Sequence, residues 1–322
     1  MPETKMTNAQ LEALMETSDE WIRERTGIQE RRWVVPGDGN SAATMGTKAA
    51  KKALAHAGLQ ASDIEHIVFA TISPDHYFPG PGVQVQEALG MGTVGATDVR
   101  DACSGFVYAL SIANAYVQTG MYKHILVIGS ELQSPFLDKT TRGRGVSVIF
   151  GDGAGAVVVS RAEGDERGIR SVHLHSEGKY KDELTLKGFG TQHWIGELME
   201  GGIHPEVHYP YMNGNFVFKH AVVRFSEVIQ EALEHNGLQT TDLHCFIPHQ
   251  ANLRIAQFIQ KKLRLRDDQV FNNIMHYGNT TAASIPIALS EAVEQGAVKR
   301  GSTVLLAAFG AGFTWGSVLL EF

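Results

Sequence analysis

The sequence feature that most constrains the fold is an internal repeat of short apolar segments. The apolar segment at 66–71 has a counterpart at 245–248, and the segment at 125–129 has one at 304–308. The two pairs are offset by the same amount along the chain, since 246 − 67 = 179 and 304 − 125 = 179. A constant shift between several motifs is typical of a duplicated structural unit. The sequence therefore predicts two α/β halves of similar architecture.

The composition is that of a folded chain, and it indicates where the two halves meet. Of the 322 residues, 43% are hydrophobic and 20% are charged, and the 34 glycines suit many tight joints between strands and helices. The charged segment Glu163–Gly168 interrupts the apolar patterning. We therefore expect a first half at residues 1–165 and a second half at residues 166–322.

Charge and cysteine content argue against several classes of protein. A formal net charge of −7 disfavours nucleic-acid binding. Two cysteines cannot form a disulfide framework, which favours the cytoplasm, and the N-terminus carries no export signal. The uncharged stretch Gly301–Leu320 is interrupted by glycines, so it predicts two buried strands and a turn and does not indicate a membrane span.

One of the two cysteines, Cys103, stands where an extended segment meets an apolar helix. Apolar residues recur at helical spacing after it, so a helix is predicted from near Cys103 to about Gln118. The unpaired N–H groups of a helix start would lower the pKa of the thiol and offer hydrogen bonds to an oxyanion. A lone cysteine is also compatible with a small buried core residue.

Two further polar residues lie at comparable joints of the second half. His249 directly follows the strand-like segment 245–248. Asn279 precedes an Ala- and Ser-rich helix as Cys103 does, at a similar offset of 279 − 103 = 176. Taken singly, the histidine is typical of a core or surface residue, and the asparagine of a turn or cap. At matched positions of a duplicated fold, the three indicate a thiol nucleophile with two groups that hold a thioester oxyanion.

A cysteine protease also combines Cys, His and Asn, with the histidine activating the cysteine and the asparagine orienting the histidine. The spacing of the three residues does not decide between these chemistries. The two-half α/β pattern does, because it does not suit a papain-like chain.

Five motifs, which run in order along almost the whole chain, resemble those of the β-ketoacyl-acyl-carrier-protein synthase III family of the thiolase superfamily. They are Asp101–Phe106, Phe150–Ala156, Pro248–Ile255, His276–Thr280 and Ala308–Gly316. The resemblance implies a thiolase-like five-layer α-β-α-β-α fold of two duplicated halves, usually assembled as a homodimer. It also implies the initiating condensing enzyme of type II fatty acid synthesis, which uses acyl-CoA as a substrate and needs no cofactor or metal.

The resemblance assigns roles to the three polar residues. Cys103 would take an acyl group from acyl-CoA, and malonyl-acyl-carrier protein would then lose CO₂ to give an enolate that attacks the Cys103 thioester. His249 and Asn279 would donate hydrogen bonds to the thioester oxygen that carries the enolate charge, each contributing on the order of 3 kcal/mol. The backbone amides of Cys103 and Ala311 would form a second oxyanion hole for acyl transfer.

The same resemblance predicts how the substrates are held. Phe78 occupies the position at which a partner subunit closes the acyl pocket, and its bulk favours a short primer such as acetyl. Independently of the resemblance, four basic residues crowd one helix, and their charge pattern is compatible either with a docking surface for the acidic carrier protein or with a solvated helix face: Arg254, Lys261, Lys262 and Arg264. The residues expected to bind CoA are Trp21 and Arg144 around the adenine, Arg25 and Arg254 at the phosphates, and Asn215 and Asn252 along the pantetheine channel.

The chain departs from the family in two places. The apolar first strand usual in the family is missing before Met1, so either the start is misplaced or the first half lacks a central strand. Ala311 replaces a common glycine, which is tolerable if its φ is negative. Residues 187–212 are expected to shape the acyl pocket or its lid.

Other functions on the same fold remain open in the sequence. A secondary-metabolite ketosynthase or an ester-forming acyltransferase would use the same Cys-His-Asn set with another donor or acceptor. Degradative thiolases are disfavoured because the C-terminal glycine turn holds no second cysteine, and hydroxymethylglutaryl-CoA synthases because the loop 74–82 lacks a carboxylate other than Asp75. A non-catalytic acyl-CoA-binding protein is disfavoured by the intact Cys103, His249 and Asn279.

Overall fold

The structure is a computed structural model, and it describes residues 1–162, 168–192 and 205–322. The described strands are β1 (Lys5–Thr7), β2 (Glu30–Arg32), β3 (His66–Ala70), β4 (Gly95–Val99), β5 (His124–Glu131), β6 (Gly153–Ser160), β7 (Gly168–Ser176), β8 (Leu184–Thr185), β9 (Tyr211–Met212), β10 (Cys245–Pro248), β11 (Thr303–Gly310) and β12 (Thr314–Glu321). The described α-helices are α1 (Asn8–Glu12), α2 (Asp19–Thr26), α3 (Ala42–Ala57), α4 (Pro81–Ala88), α5 (Gly105–Gln118), α6 (Arg144–Ser147), α7 (Gly214–His235), α8 (Leu253–Leu263), α9 (Ile274–Tyr277) and α10 (Ser284–Glu294).

Two four-stranded mixed sheets organise the chain, one in each half. The first has the order β4-β3-β5-β6, in which β3 runs parallel to β4 and β5, and β6 runs antiparallel to β5. The second has the order β10-β11-β12-β7, in which β10 runs parallel to β11, and β12 runs antiparallel to both β11 and β7. The uncharged stretch near the C-terminus forms β11, a turn and β12, as predicted.

The sheets and helices stack in five layers. Helices α5 and α10 lie between the two sheets, and their buried faces share one core with Val68 of β3 and Leu306 of β11. Helices α3 and α4 cover the outer face of the first sheet, and α7 and α8 cover the outer face of the second. The α-β-α-β-α arrangement that the resemblance implies is therefore confirmed. The expected boundary near residue 165 lies outside the described residues and stays a prediction.

The repeat is more regular in the structure than in the sequence comparison. Strands β5 and β11 begin at positions 124 and 303, and helices α5 and α10 begin at positions 105 and 284, so that 303 − 124 and 284 − 105 both equal 179. The 3-10 turns before these helices, Ala102–Ser104 and Thr281–Ala283, follow the same shift. Each turn opens on a non-glycine residue with positive φ, 44° at Ala102 and 51° at Thr281. The match of Asn279 to Cys103 is therefore wrong by three positions.

The topology of the second sheet also shows that the prediction of a missing central strand is wrong about the position of that strand. There, β7 lies at the edge of its sheet beside β12, the counterpart of β6. The described strands of the first sheet are contiguous, and β6 has no second neighbour among them. The counterpart of β7 would therefore lie at an edge of the first sheet, not at its centre.

No helix in the described ranges is long and apolar enough to cross a membrane.

Candidate active site

Cys103 lies in the strained turn between β4 and α5. Its side chain is buried, and its own backbone amide and the amide of Ala311 lie close enough to the sulfur to lower its pKa. Gly310 makes this approach possible, because a Cβ built there would lie 2.7 Å from Cβ of Cys103. Ala311 is not among the described residues with positive φ, so its replacement of a glycine strains nothing. The two amides predicted for an oxyanion hole thus converge on the sulfur.

The pKa of Cys103 contradicts the prediction made from the helix start. Burial, and to a smaller extent the nearby Glu131, raises the pKa of the thiol to about 12, although the two amides act in the opposite direction. Loss of solvent around the sulfur therefore outweighs the amides at the start of the helix. Cys103 is therefore protonated at physiological pH.

His249 follows β10 directly, as the sequence indicates. Its ring is buried, with Nδ1 2.7 Å from Oγ of Ser284, and Nε2 has no hydrogen-bond partner among the described residues. Burial lowers the pKa of the imidazole to about 3. The ring is therefore neutral at physiological pH.

Asn279 is fixed through its backbone and its side chain. Its backbone N–H donates to the carbonyl of Ile149, and its carbonyl accepts from the amide of Gly151, at 2.8 and 3.0 Å. Its Oδ1 accepts from the amide of Thr281 at 2.8 Å, so the carboxamide cannot flip without losing that bond. Nδ2 therefore remains as an oriented donor.

One cavity of about 880 Å³ brings Cys103, His249 and Asn279 together. Aromatic side chains that the sequence analysis did not single out line it as well, namely Phe218, Phe225, Phe309, Tyr209 and Tyr211. The buried end of the site combines a nucleophilic sulfur with neutral hydrogen-bond donors. Such donors can stabilise an oxyanion that develops when the sulfur reacts.

Several predicted CoA residues line the same cavity: Trp21, Arg25, Asn215, Asn252 and Arg254. Arg144 lines a smaller adjoining cavity that shares Trp21. The guanidinium groups of Arg25 and Arg144 lie 4.8 and 4.9 Å from the centroid of the Trp21 ring.

Asn252 has a structural task beside the cavity. It caps α8, accepting from the amide of Arg254 at 2.9 Å, and its Nδ2 donates to the carbonyl of Arg25 at 3.0 Å. The asparagine therefore ties α8 of the second half to α2 of the first, beside the cations predicted to meet the CoA phosphates.

Phe78 and the predicted docking residues at the end of α8 lie away from the cavity of their own chain. Phe78 is 80% exposed on the loop between β3 and α4, next to Tyr77, which is 56% exposed. Lys261, Lys262 and Arg264 lie at the surface, and none of them forms an ion pair within the described ranges. Of residues 187–212, Tyr209–Met212 line the cavity, while 193–204 lie outside the described residues.

Two buried polar residues near the site were missed by the sequence analysis. Ser284 contacts His249, and Glu131, at the end of β5, is close enough to Cys103 to influence its pKa. Neither residue stands in a motif that marks it as functional without the fold. Among the described residues, no group of three or more His, Cys, Asp or Glu side chains is arranged to hold a metal ion.

Comparison with known proteins shows what this chain is similar to. Residues 97–178 match the family model described as 3-oxoacyl-[acyl-carrier-protein (ACP)] synthase III, and residues 233–322 match the model of its C-terminal part. A β-ketoacyl-[acyl-carrier-protein] synthase III of Rhodospirillum centenum is 46% identical over 100% of this chain and 96% of its own length. The crystal structure of 3-oxoacyl-[acyl-carrier-protein] synthase III from Aquifex aeolicus is 42% identical, with a TM-score of 0.91 over 100% of this chain and 97% of that one. The corresponding structure from Thermus thermophilus is 38% identical, with a TM-score of 0.91 over 100% and 96%.

Proposed function

This chain belongs to the β-ketoacyl-[acyl-carrier-protein] synthase III family, the initiating condensing enzymes of fatty acid synthesis, and on that premise we propose how its residues share the reaction. Cys103 accepts an acyl group, preferably acetyl, from acyl-CoA. The acyl-enzyme then condenses with malonyl-acyl-carrier protein, with loss of CO₂, to give 3-ketoacyl-carrier protein. The observation that carries the proposal is the single cavity shared by the Cys103 thiol, the unpartnered Nε2 of His249 and the oriented Nδ2 of Asn279.

In the first step, the sulfur of Cys103 attacks the carbonyl carbon of the acyl-CoA thioester. The oxyanion that forms is held by the amides of Cys103 and Ala311, the two backbone groups that lower the pKa of the thiol. The C–S bond to CoA then breaks, and the proton of the Cys103 thiol ends on the sulfur of CoA. Because burial keeps the Cys103 thiol protonated at physiological pH, its ionisation is part of this step.

In the second step, malonyl-carrier protein loses CO₂, and the electron pair of the broken C–C bond passes into an enolate. Nε2–H of His249 and Nδ2–H of Asn279 donate to the thioester oxygen that carries the new charge. The enolate carbon attacks the Cys103 thioester, the C–S bond to Cys103 breaks, and the cysteine leaves as a thiolate that takes up a proton from solvent. Both donors are neutral, so they stabilise the enolate without being able to quench it as a charged acid would.

CoA would bind along the line of cations from Arg254 to Arg144. Arg25 and Arg254 meet the phosphates, Asn215 and Asn252 line the pantetheine channel, and Trp21 stacks on the adenine. Arg144 now lies on the Trp21 ring at 4.9 Å, so an adenine held between them must displace its guanidinium group.

The remaining assignments concern assembly and partners. In a homodimer, the exposed Phe78 of one subunit would insert into the acyl pocket of the other. This arrangement is favourable because it would bury an aromatic side chain that is 80% exposed in the single subunit. The carrier protein would dock on Arg254, Lys261, Lys262 and Arg264. The two free cysteines suit a cytoplasmic enzyme.

The test is to incubate the protein with acetyl-, isobutyryl- and hexanoyl-CoA and to weigh the peptide that carries Cys103. We expect an acetyl adduct on Cys103, and none on that peptide in Cys103→Ala. Preferential labelling by a longer donor would overturn the acetyl primer, and absence of an adduct with every donor would overturn the proposed acyl transfer.

A further inference from the structure

Ser284 is buried at the start of α10, between the two sheets, and its hydroxyl reaches the site. Its Oγ lies 2.7 Å from Nδ1 of His249 and also accepts a longer hydrogen bond of 3.4 Å from the amide of Gln250. His249 has Nε2 as its other ring nitrogen, which is buried and has no partner among the described residues. The serine is therefore the group in contact with the ring that can decide where the imidazole proton sits.

We propose that Ser284 is a positioning residue that holds the proton of His249 on Nε2. The amide of Gln250 can only donate, so it takes one acceptor site of the serine oxygen. The hydroxyl hydrogen then has one acceptor within its described contacts, Nδ1 of His249. With Nδ1 as the acceptor, the single hydrogen of the neutral ring resides on Nε2.

The opposite tautomer of His249, with the proton on Nδ1, is less favourable at both ring nitrogens. It leaves the hydroxyl hydrogen of Ser284 buried without an acceptor, and an unpaired buried donor is unfavourable. It also turns a bare lone pair of Nε2 toward the position where the enolate oxygen carries negative charge. A partner on the far nitrogen commonly fixes the tautomer and orientation of a functional histidine in this way.

The inference rests on the proposed function and predicts which half-reaction depends on Ser284. Acyl transfer uses the amides of Cys103 and Ala311, which Ser284 does not contact. Decarboxylation and condensation use Nε2–H of His249. Loss of the hydroxyl should therefore slow condensation and leave acylation of Cys103 almost unchanged.

The experiment compares Ser284→Ala with Ser284→Thr, which keeps a hydroxyl, and with Ser290→Ala, an exposed serine on the same helix. We expect Ser284→Ala to lower kcat of condensation by about 10- to 100-fold, as loss of an outer partner of a functional histidine typically does, with acylation of Cys103 within about twofold. Ser284→Thr should recover most of the rate, and Ser290→Ala should match the original protein. Equal losses in both half-reactions, or no loss in Ser284→Ala, would overturn the proposal.

A second measurement does not depend on turnover. In protein labelled with 15N-histidine, the resonances of His249 are identified by their disappearance in His249→Gln. We expect NMR to show a protonated Nε2 and an unprotonated Nδ1, and in Ser284→Ala a mixture of the two tautomers. A proton on Nδ1 in the original protein would refute the inference. Absence of both half-reactions in the original protein would count against the proposed function, while the NMR result would still decide the tautomer.

Discussion

Glu131 offers the sharpest test of how burial controls ionisation around the site. Its carboxyl group is fully buried at the end of β5 and accepts from the amide of Ile72 and the hydroxyls of Thr71 and Ser73. These donors favour the charged form, yet burial raises the pKa of Glu131 from 4.5 to about 7. The perturbation we choose is Glu131→Gln, which removes the titration and keeps the size of the side chain.

The magnitude follows from the difference between the folded and unfolded pKa. Because the folded pKa is the higher one, the folded state holds the proton more tightly than the unfolded state. The contribution of Glu131 to stability is then fully present below pH 4.5 and is lost as pH rises through about 7. At about 1.4 kcal/mol for each pKa unit, the loss across this range is about 3 kcal/mol.

The assay is urea unfolding at half-unit steps from pH 4.5 to 8, with Glu131→Gln and the original protein side by side. In Glu131→Gln the introduced carboxamide would face the same hydrogen-bond donors, and the resulting change in the free energy of unfolding would not depend on pH. Only the pH dependence of the difference in unfolding free energy between the two proteins is therefore informative. We expect the free energy of unfolding of the original protein to fall by about 3 kcal/mol relative to the variant between pH 4.5 and 8. The exposed Glu87→Gln serves as the control and should run parallel to the original protein. A constant difference between Glu131→Gln and the original protein would refute the reasoning, since it would mean that Glu131 has the same pKa folded and unfolded.

Three further predictions concern the site and its surfaces. Gly310→Ala places a methyl group 2.7 Å from Cβ of Cys103 and should slow acylation by acetyl-CoA at least about tenfold, as measured by the mass of the acyl-enzyme. Unchanged acylation would contradict the close approach of Gly310 to Cys103. Reversing charge at Lys261 and Lys262 to Glu should raise KM for malonyl-carrier protein roughly tenfold at low salt and less at high salt, with KM for acetyl-CoA as the internal control; equal changes in both would refute a docking surface. Phe78→Ala should extend the range of acyl-CoAs toward longer chains in a competition assay, and an unchanged preference would remove Phe78 from the acyl pocket.

Much of the fold could be predicted from the sequence because its cause is local. The apolar runs that form β3, β10 and β11 are short and uninterrupted, and buried strands carry that pattern. Helix α3 likewise carries strong local signals at both ends: the Ser41 hydroxyl accepts from the amide of Thr44, and Gly58 has φ of 68°.

The ionisation state of the site could not be predicted in this way, because it depends on what packs around each group. The helix start beside Cys103 is visible in the sequence, and it predicts a lowered pKa. The burial of the sulfur and the approach of Glu131, which raise it, come from segments far apart in the chain. The contact of Ser284 with His249 could not be predicted for the same reason, because the two residues lie far apart in the chain.

The asymmetry of the duplicated halves explains why the molecule has one site and not two. With the structural shift of 179, the counterpart of Cys103 is Ala282 (103 + 179), and the counterpart of His249 is Ala70 (249 − 179). Both alanines lie against the start of α5, where a Cβ built on Gly105 would be 3.4 Å from Cβ of Ala70 and 3.5 Å from Cβ of Ala282. An alanine carries neither a thiol nor a ring nitrogen, so the matching positions supply no second set of reacting groups. The nucleophile of one half and the hydrogen-bond donors of the other therefore share a single cavity.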